Sequence, residues 1–314
     1  MLHVALDFAP PLGKVRQMTT PNRPLAAALW MTGAIAAFTA MAVATREIRG
    51  VHDTFEILAY RSVVGFLIVV SGAALLGQLG RVRADRLGSH AIRNIFHFTG
   101  QSLWFWAITM IPLAQVFALE FTSPIWVILL SPLVLGEKLT SRKLTSAALG
   151  FAGVWIVAQP DFTSIDLGVL AAIGAAFFFA STTLMTKALT KGEAIVGILF
   201  WLTLMQAGLG FAAVLADGRI ILPTLATLPW LVLIGIAGVS AHLCLTSALS
   251  LAPASSVVPV DFARLPLIAA IGAIFYAEPV EITLFLGAAL IFFGIWVNLR
   301  GASSAPQGVA VTKP

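Results

Sequence analysis

Ten apolar stretches, separated by short polar or basic segments, run along the chain at 25–45, 55–79, 91–110, 112–135, 143–159, 167–189, 195–215, 229–249, 253–277 and 281–299. A helix rises 1.5 Å per residue, so runs of about 20 residues are what a hydrocarbon layer about 30 Å thick requires. The pattern predicts an all-α membrane protein with ten transmembrane helices. Pro112 and Pro253 open two of these runs, at the position in the first helical turn where proline is best tolerated.

The pattern is written twice. With a shift of 141 positions and no gap, Pro112 falls on Pro253, Val116 on Val257, Phe121 on Phe262 and Glu137 on Glu278. Farther along, Phe151, Gly153 and Trp155 fall on Phe292, Gly294 and Trp296, and the acidic Glu120 falls on the acidic Asp261. Each half holds five spans, an odd number, so the second half is expected upside down relative to the first. The organisation read from this is two inverted five-helix repeats at 25–159 and 167–299, a linker at 160–166, a disordered cytoplasmic leader at 1–24 and a disordered cytoplasmic tail at 300–314. Duplicated, inverted sets of membrane helices place a transport site near the midplane between the halves.

Composition agrees with burial in lipid. Of the 314 residues, 59% are hydrophobic and only 11% charged, against about 25% charged in soluble domains. The mean hydropathy is +0.96. A net charge of +5 suggests nucleic acid at first sight, but the basic residues cluster in short loops between apolar runs, as topology determinants do. The single cysteine, Cys244, excludes an internal disulfide and a cysteine metal cluster. Residues 1–24 carry Lys14, Arg16 and Arg23 after a mildly apolar start, the wrong order for a signal peptide, and Met18 offers an alternative start.

Orientation follows from the loop charges. With the N-terminus in the cytoplasm, the inside segments hold fourteen lysines and arginines, including Arg81, Arg83, Arg86, Arg93, Lys187 and Lys191, while the outside loops hold only Arg46, Arg49 and Arg219. Both termini are therefore expected in the cytoplasm and the chain in the cell inner membrane.

Polar groups inside spans are expensive, at about 2.5–3.5 kcal/mol for a charge near the centre on insertion scales, and they face cavities or partners. In the third span Asn94, His97, Gln101 and Trp104 follow one another by 3, 4 and 3, which lays them on one helical stripe. His242 in the eighth span falls where Gln101 would. The fourth span carries Gln115, Glu120 and Ser123, the ninth Asp261 and Arg264, and the second Arg61. These eleven are the candidate substrate-pathway residues. Each has a competing structural reading. Asp261 and Arg264, three apart, can neutralise each other. Arg61, about 9 Å into its span, can reach outward or pair with Glu56. Glu120 has no opposite charge within a turn of its own helix, which suits a substrate or proton carboxylate, but it can also bond Arg61 from another helix. Arg264 lies about 16 Å beyond Pro253, too deep to reach the surface easily, so its partner is either Asp261 or an anionic group of the substrate. Glu137 and Glu278 sit at span ends beside turns and are assigned, with Pro112 and Pro253, to structure: interfacial acids there cap the next helix. Gly150, Gly153, Gly287 and Gly294 suit close helix packing.

The ten spans, the five-plus-five duplication and the proline-to-glutamate signature ending the fourth and ninth spans resemble the EamA-type carriers of the drug/metabolite transporter superfamily. Pro112, Pro124, Gly136, Glu137 and Trp155 carry the resemblance in the first half, and Pro253, Glu278 and Trp296 in the second. It covers about 25–299. The resemblance implies a secondary carrier whose spans 3, 4, 8 and 9 surround a central cavity, with spans 5 and 10 bracing the outside. It also implies that the polar stripe lines that cavity, and that the substrate is an amphipathic metabolite such as an amino-acid derivative, S-adenosylmethionine or riboflavin. Ser123, which falls on Arg264, makes the cavity electrically lopsided.

The expectation is a carrier for a small polar or zwitterionic organic metabolite working by alternating access, in the lipid bilayer, as a monomer or homodimer. No cofactor, metal or nucleic acid is expected. Two other classes compete. An intramembrane hydrolase would need a nucleophile motif, and neither Gly-x-Ser-x-Gly nor His-Glu-x-x-His is present. A passive channel would need a ring of repeated charges. Without a Walker A loop, direct ATP coupling is not expected.

Overall fold

The computed structural model describes residues 23–48, 50–111, 113–158, 167–218, 220–276 and 282–303. Pro112, Glu278 and the 160–166 linker lie outside them, as do most of the leader and tail. Within the described residues the chain is helical throughout. It runs through α1 (Pro24–Glu47), α2 (Thr54–Leu75), α3 (Leu87–Met110), α4 (Leu113–Glu120), α5 (Ser123–Leu135), α6 (Ser141–Ala158), α7 (Leu167–Leu189), α8 (Ile195–Asp217), α9 (Leu228–Leu251), the single turn α10 (Ala254–Val257), α11 (Arg264–Tyr276) and α12 (Ile282–Ser303). Two 3-10 segments, Leu79–Arg81 and Val258–Ala263, complete the order.

Six stretches are long and apolar enough to cross a membrane by length and composition: α1, α2, α7, α8 up to Ala216, α9, and the run Ala254–Phe275 through α10 and α11. Helix α3 is as long as α1 and α9, at 24 residues, but the polar side chains expected on its stripe dilute its hydropathy.

The sequence repeat is carried into the elements. Helix α3 begins at Leu87 and α9 at Leu228, α5 at Ser123 and α11 at Arg264, α6 at Ser141 and α12 at Ile282, each pair 141 apart. Packing respects the same shift. The main helix pairs are α1 with α9, α3 with α7, α2 with α8, and α6 with α12. Shifting by one repeat carries the first pair into the second, and each of the last two onto itself. Repeat-related Phe121 and Phe262 meet ring to ring, 6.0 Å between centroids, which marks where the two halves touch.

The fourth and ninth apolar runs, expected as single spans, are both broken. The fourth splits into α4 and α5 around Phe121 and Thr122, and the ninth passes through a turn of α-helix and a 3-10 segment before α11 begins. Proline accounts for both breaks. Pro124 sits in the first turn of α5 and has no N–H for the Glu120 carbonyl, while Pro259 enters the 3-10 segment and Pro266 the first turn of α11; each removes a helical bond and crowds the preceding turn.

Glycine sets the distance between the bracing pair and the core. A Cβ on Gly150 would lie 2.3 Å from the Phe262 ring, and one on Gly294 would lie 3.1 Å from the Ser146 carbonyl oxygen. Helices α6 and α12 therefore approach to backbone contact, as small residues permit in lipid.

Candidate functional site

A cavity of about 1090 Å³, counting the open space at its mouth, lies between the halves. It is lined from α1, α2, α3, α7 and α9 and from the broken runs at α4–α5 and Val258–Arg264. Six of the lining side chains are aromatic: Phe38, Trp104, Phe105, Phe117, Phe121 and Phe179. Polar side chains stand among them: Arg61, Arg93, His97, Gln101, Thr182, Thr186 and His242, with Glu120, Ser123, Asp261 and Arg264 at the breaks, His242 resting against Phe38 and His97 against Phe179.

The breaks position the charged cluster. Glu120 ends α4, Asp261 lies in the 3-10 segment, and Arg264 begins α11. Arg264 Nη2 donates to Glu120 Oε1 at 2.5 Å and to Asp261 Oδ2 at 3.0 Å. Trp104 Nε1 donates to the other Glu120 oxygen at 2.7 Å. The guanidinium also lies 5.3, 5.8 and 5.1 Å from the ring centres of Phe38, Phe117 and Phe121, where a cation meets the negative faces of the rings. Two of the competing readings are thereby resolved. Arg264 is held by Asp261, as the three-residue spacing allows, and by Glu120 as well, so its charge is already matched inside the protein. Glu120 bonds Arg264 and not Arg61.

Arg61 does not pair with Glu56 either. Glu56 is committed to the start of α2, where it and Asp53 exchange bonds in a capping box, and its oxygens also meet His52 at 3.3 Å and the Ile221 amide. Arg61 instead turns inward, buried on α2. With the Gln101 amide oriented as its neighbours require, the Gln101 oxygen accepts from Arg61 Nη1 at 2.7 Å and from His97 Nε2 at 3.2 Å, while its nitrogen donates to Gln206 Oε1 at 3.2 Å. His97 and His242 meet edge to face, 4.9 Å between centroids. His242 also rests against Phe38 at 5.9 Å.

The stripe on α3 is shifted by one residue from its expected start. His97, Gln101 and Trp104 line the cavity, but Asn94 does not. Its amide donates to the His90 carbonyl at 2.9 Å, and Gln206 donates to its carbonyl and side-chain oxygens at 2.9 and 3.1 Å, so it ties α3 to α8. Arg93, counted in the sequence as a cytoplasmic loop charge, occupies the cavity position instead. It lies inside α3, 1% exposed, with Nε donating to Thr186 Oγ1 at 2.6 Å. The signal was available: 93, 97, 101 and 104 follow at 4, 4 and 3, an equally good helical stripe. The contribution of α7, through Phe179, Thr182 and Thr186, had no comparable signal, because Ser and Thr are common in membrane helices. Lys187 is likewise inside α7, donating to the Leu249 and Ala252 carbonyls at 2.5 and 2.8 Å, where it satisfies the C-terminus of α9. The side chain of Gln115 lies outside the described ones.

Glu137, expected to cap the next helix, reaches a helix of the other half instead. Following Gly136, which adopts a left-handed conformation with φ 66°, it accepts from the Ala254 amide at 3.1 Å, Ser255 Oγ at 2.5 Å and Lys143 Nζ at 3.3 Å. A residue of the first half thus caps α10 in the second, with Pro253 at the N-cap position.

Comparison with known proteins agrees with the duplication. The family described as EamA-like transporter family matches residues 25–159 and again 166–300. The chain is 30% identical to a riboflavin transporter of Vibrio cholerae serotype O1 over 88% of its own length and 94% of that protein's. It is 32% identical to a riboflavin transporter of Brucella anthropi over 83% and 94%. An S-adenosylmethionine uptake transporter of Rickettsia bellii is 23% identical over 71% and 75%. A protein of known crystal structure superposes with a TM-score of 0.74 at 18% identity, covering 88% of this chain and 97% of the other.

Proposed function

From the premise that the chain belongs to the EamA-like transporter family and moves a small metabolite, we propose that its substrate is a planar heteroaromatic compound of the riboflavin type. The observation that carries this is the mixed lining of the cavity, in which aromatic rings stand directly beside polar groups. Phe38, Trp104, Phe117 and Phe179 offer faces for stacking a flat ring, and Gln101, His97, His242 and Thr186 offer donors and acceptors at its edge. A ring system with carbonyls and ring nitrogens around its rim uses both kinds of group at once. The similarity to the riboflavin transporters, over more than four-fifths of the chain, supports the same reading. A sulfonium such as that of S-adenosylmethionine fits less well, because the lining charges, three arginines against Glu120 and Asp261, repel a cation.

The carrier has ten spans in two inverted repeats, with the fourth and ninth broken beside the cavity, and works by alternating access as a secondary transporter. Broken helices beside a substrate site are a recurring feature of carriers built this way. It lies in the inner membrane with both termini in the cytoplasm. Moving Arg93 and Lys187 from loops into helices leaves twelve inside charges against three outside, so the direction of insertion stands. It is not an enzyme, and a monomer contains the whole site.

Counterflow tests the reading. Proteoliposomes holding unlabelled riboflavin should accumulate labelled riboflavin transiently and saturably. Non-saturable entry would mean a channel, and no entry at all would remove riboflavin-type compounds as the substrate.

A further inference from the structure

The cavity holds five charged side chains, and only three of them neutralise one another. Arg264 is shared by Glu120 and Asp261. Arg61 and Arg93 have no carboxylate within 4.0 Å among the described residues. Both are buried, 7% and 1% exposed, and both line the cavity. Arg93 spends one N–H on Thr186, and its Nη1 is buried without a partner. Arg61 is held by the Gln101 oxygen, a partial charge that orients the guanidinium without cancelling it. His97 Nδ1, on the helix that bears Arg93, is also buried and unpartnered.

An uncompensated buried ion costs several kcal/mol, and two lining one cavity cost more through mutual repulsion. Such an arrangement is stable in a carrier when the missing counter-charge arrives with the cargo. Guanidinium forks match the paired oxygens of carboxylate and phosphate.

Resting on the heteroaromatic reading above, we propose that Arg61 and Arg93 form an oxyanion site, so that the substrate carries a carboxylate or phosphate on its aromatic ring system. The ring stacks on the aromatic side chains of the lining, and the anionic tail reaches the unpartnered Nη1 of Arg93 and the outer edge of Arg61. The Glu120–Arg264–Asp261 cluster, net negative, stands on the same cavity and repels the tail from the breaks, which fixes the direction in which the substrate lies. The site is distinct from Arg264, whose charge Glu120 and Asp261 already match.

The test uses the purified full-length protein and two matched pairs of probes: flavin mononucleotide against riboflavin, and indole-3-acetate against indole-3-acetamide. Binding is read by flavin or tryptophan fluorescence. Each acid should bind at least about tenfold more tightly than its neutral partner, the worth of a charged hydrogen bond or more, and this ratio of acid to neutral affinity should fall in R61Q and in R93Q. Preference within the flavin pair alone identifies a phosphate site, and within the indole pair alone a carboxylate site. If neither flavin binds, the riboflavin-type reading fails, and the indole pair still decides on the oxyanion site. Equal binding of acid and neutral partner in every pair that binds, or binding by neither pair, overturns the proposal without recourse to a variant. A preference that survives intact in both variants also overturns it.

Discussion

Glu120 and Arg264 are 144 residues apart in sequence and 2.5 Å apart in space. Asp261, the repeat-related counterpart of Glu120, binds the same guanidinium at 3.0 Å. Two acids from equivalent positions in the two halves thus converge on one arginine whose own counterpart in the first half is Ser123. The cluster holds the broken fourth and ninth runs together, and its composition governs what a substitution there does.

Arg264→Leu should strand two buried carboxylates and destabilise the protein by about 3–5 kcal/mol, the usual cost of removing one partner from a buried ion pair. Adding Asp261→Asn should not restore it, because Glu120 remains charged. The triple variant with Glu120→Gln as well should recover most of the lost melting temperature in detergent. Recovery by the double variant alone would show that Glu120 does not depend on Arg264.

Trp104 faces the cavity and bonds Glu120, and Gln101 orients Arg61. Trp104→Ala and Gln101→Leu should each lower riboflavin counterflow by about tenfold or more while expression and membrane insertion stay normal, since each removes a buried hydrogen bond worth about 1–3 kcal/mol. Unchanged counterflow in both would reduce the stripe to helix packing.

Gly150→Ala should be destabilising by about 1–3 kcal/mol, the range for overpacking, because its Cβ would lie 2.3 Å from the Phe262 ring. Phe262→Leu in the same chain should return part of that loss by opening space. The measurement is thermal unfolding of both variants beside the wild type, and wild-type melting of Gly150→Ala would show that the ring can move aside at no cost.

Glu137→Ala removes the cap on α10 together with the Ser255 and Lys143 contacts. A loss of about 0.5–2 kcal/mol is expected from the cap alone, and Glu137→Gln, which keeps an acceptor for the Ala254 amide, should lose less. Equal losses would assign the effect to charge and not to capping.

A reporter active only outside the cytoplasm should stay dark when fused after Pro314, given twelve inside charges against three. A bright reporter would overturn the ten-span, N-inside arrangement.

The positions of the apolar runs, the repeat and the stripe on α3 were legible in the sequence because each depends on local spacing: length against membrane thickness, identity at a fixed shift, and the helical period. His97, Gln101 and Trp104 reach the cavity for that reason. Tertiary structure alone decided which of two adjacent polar residues, Arg93 or Asn94, faces it, since the two lie only about 100° apart on the helix and the choice depends on whether α7 or α8 lies alongside. It also decided the partner of Glu120. Arg61, Arg264 and Asp261 are all far from it or unordered relative to it in sequence, and only the packing of the broken runs against each other brings Arg264 within bonding distance. The prolines that break those runs are visible in the sequence, but proline is tolerated in membrane helices, so a break follows only where the surrounding packing accommodates the polar groups that it exposes.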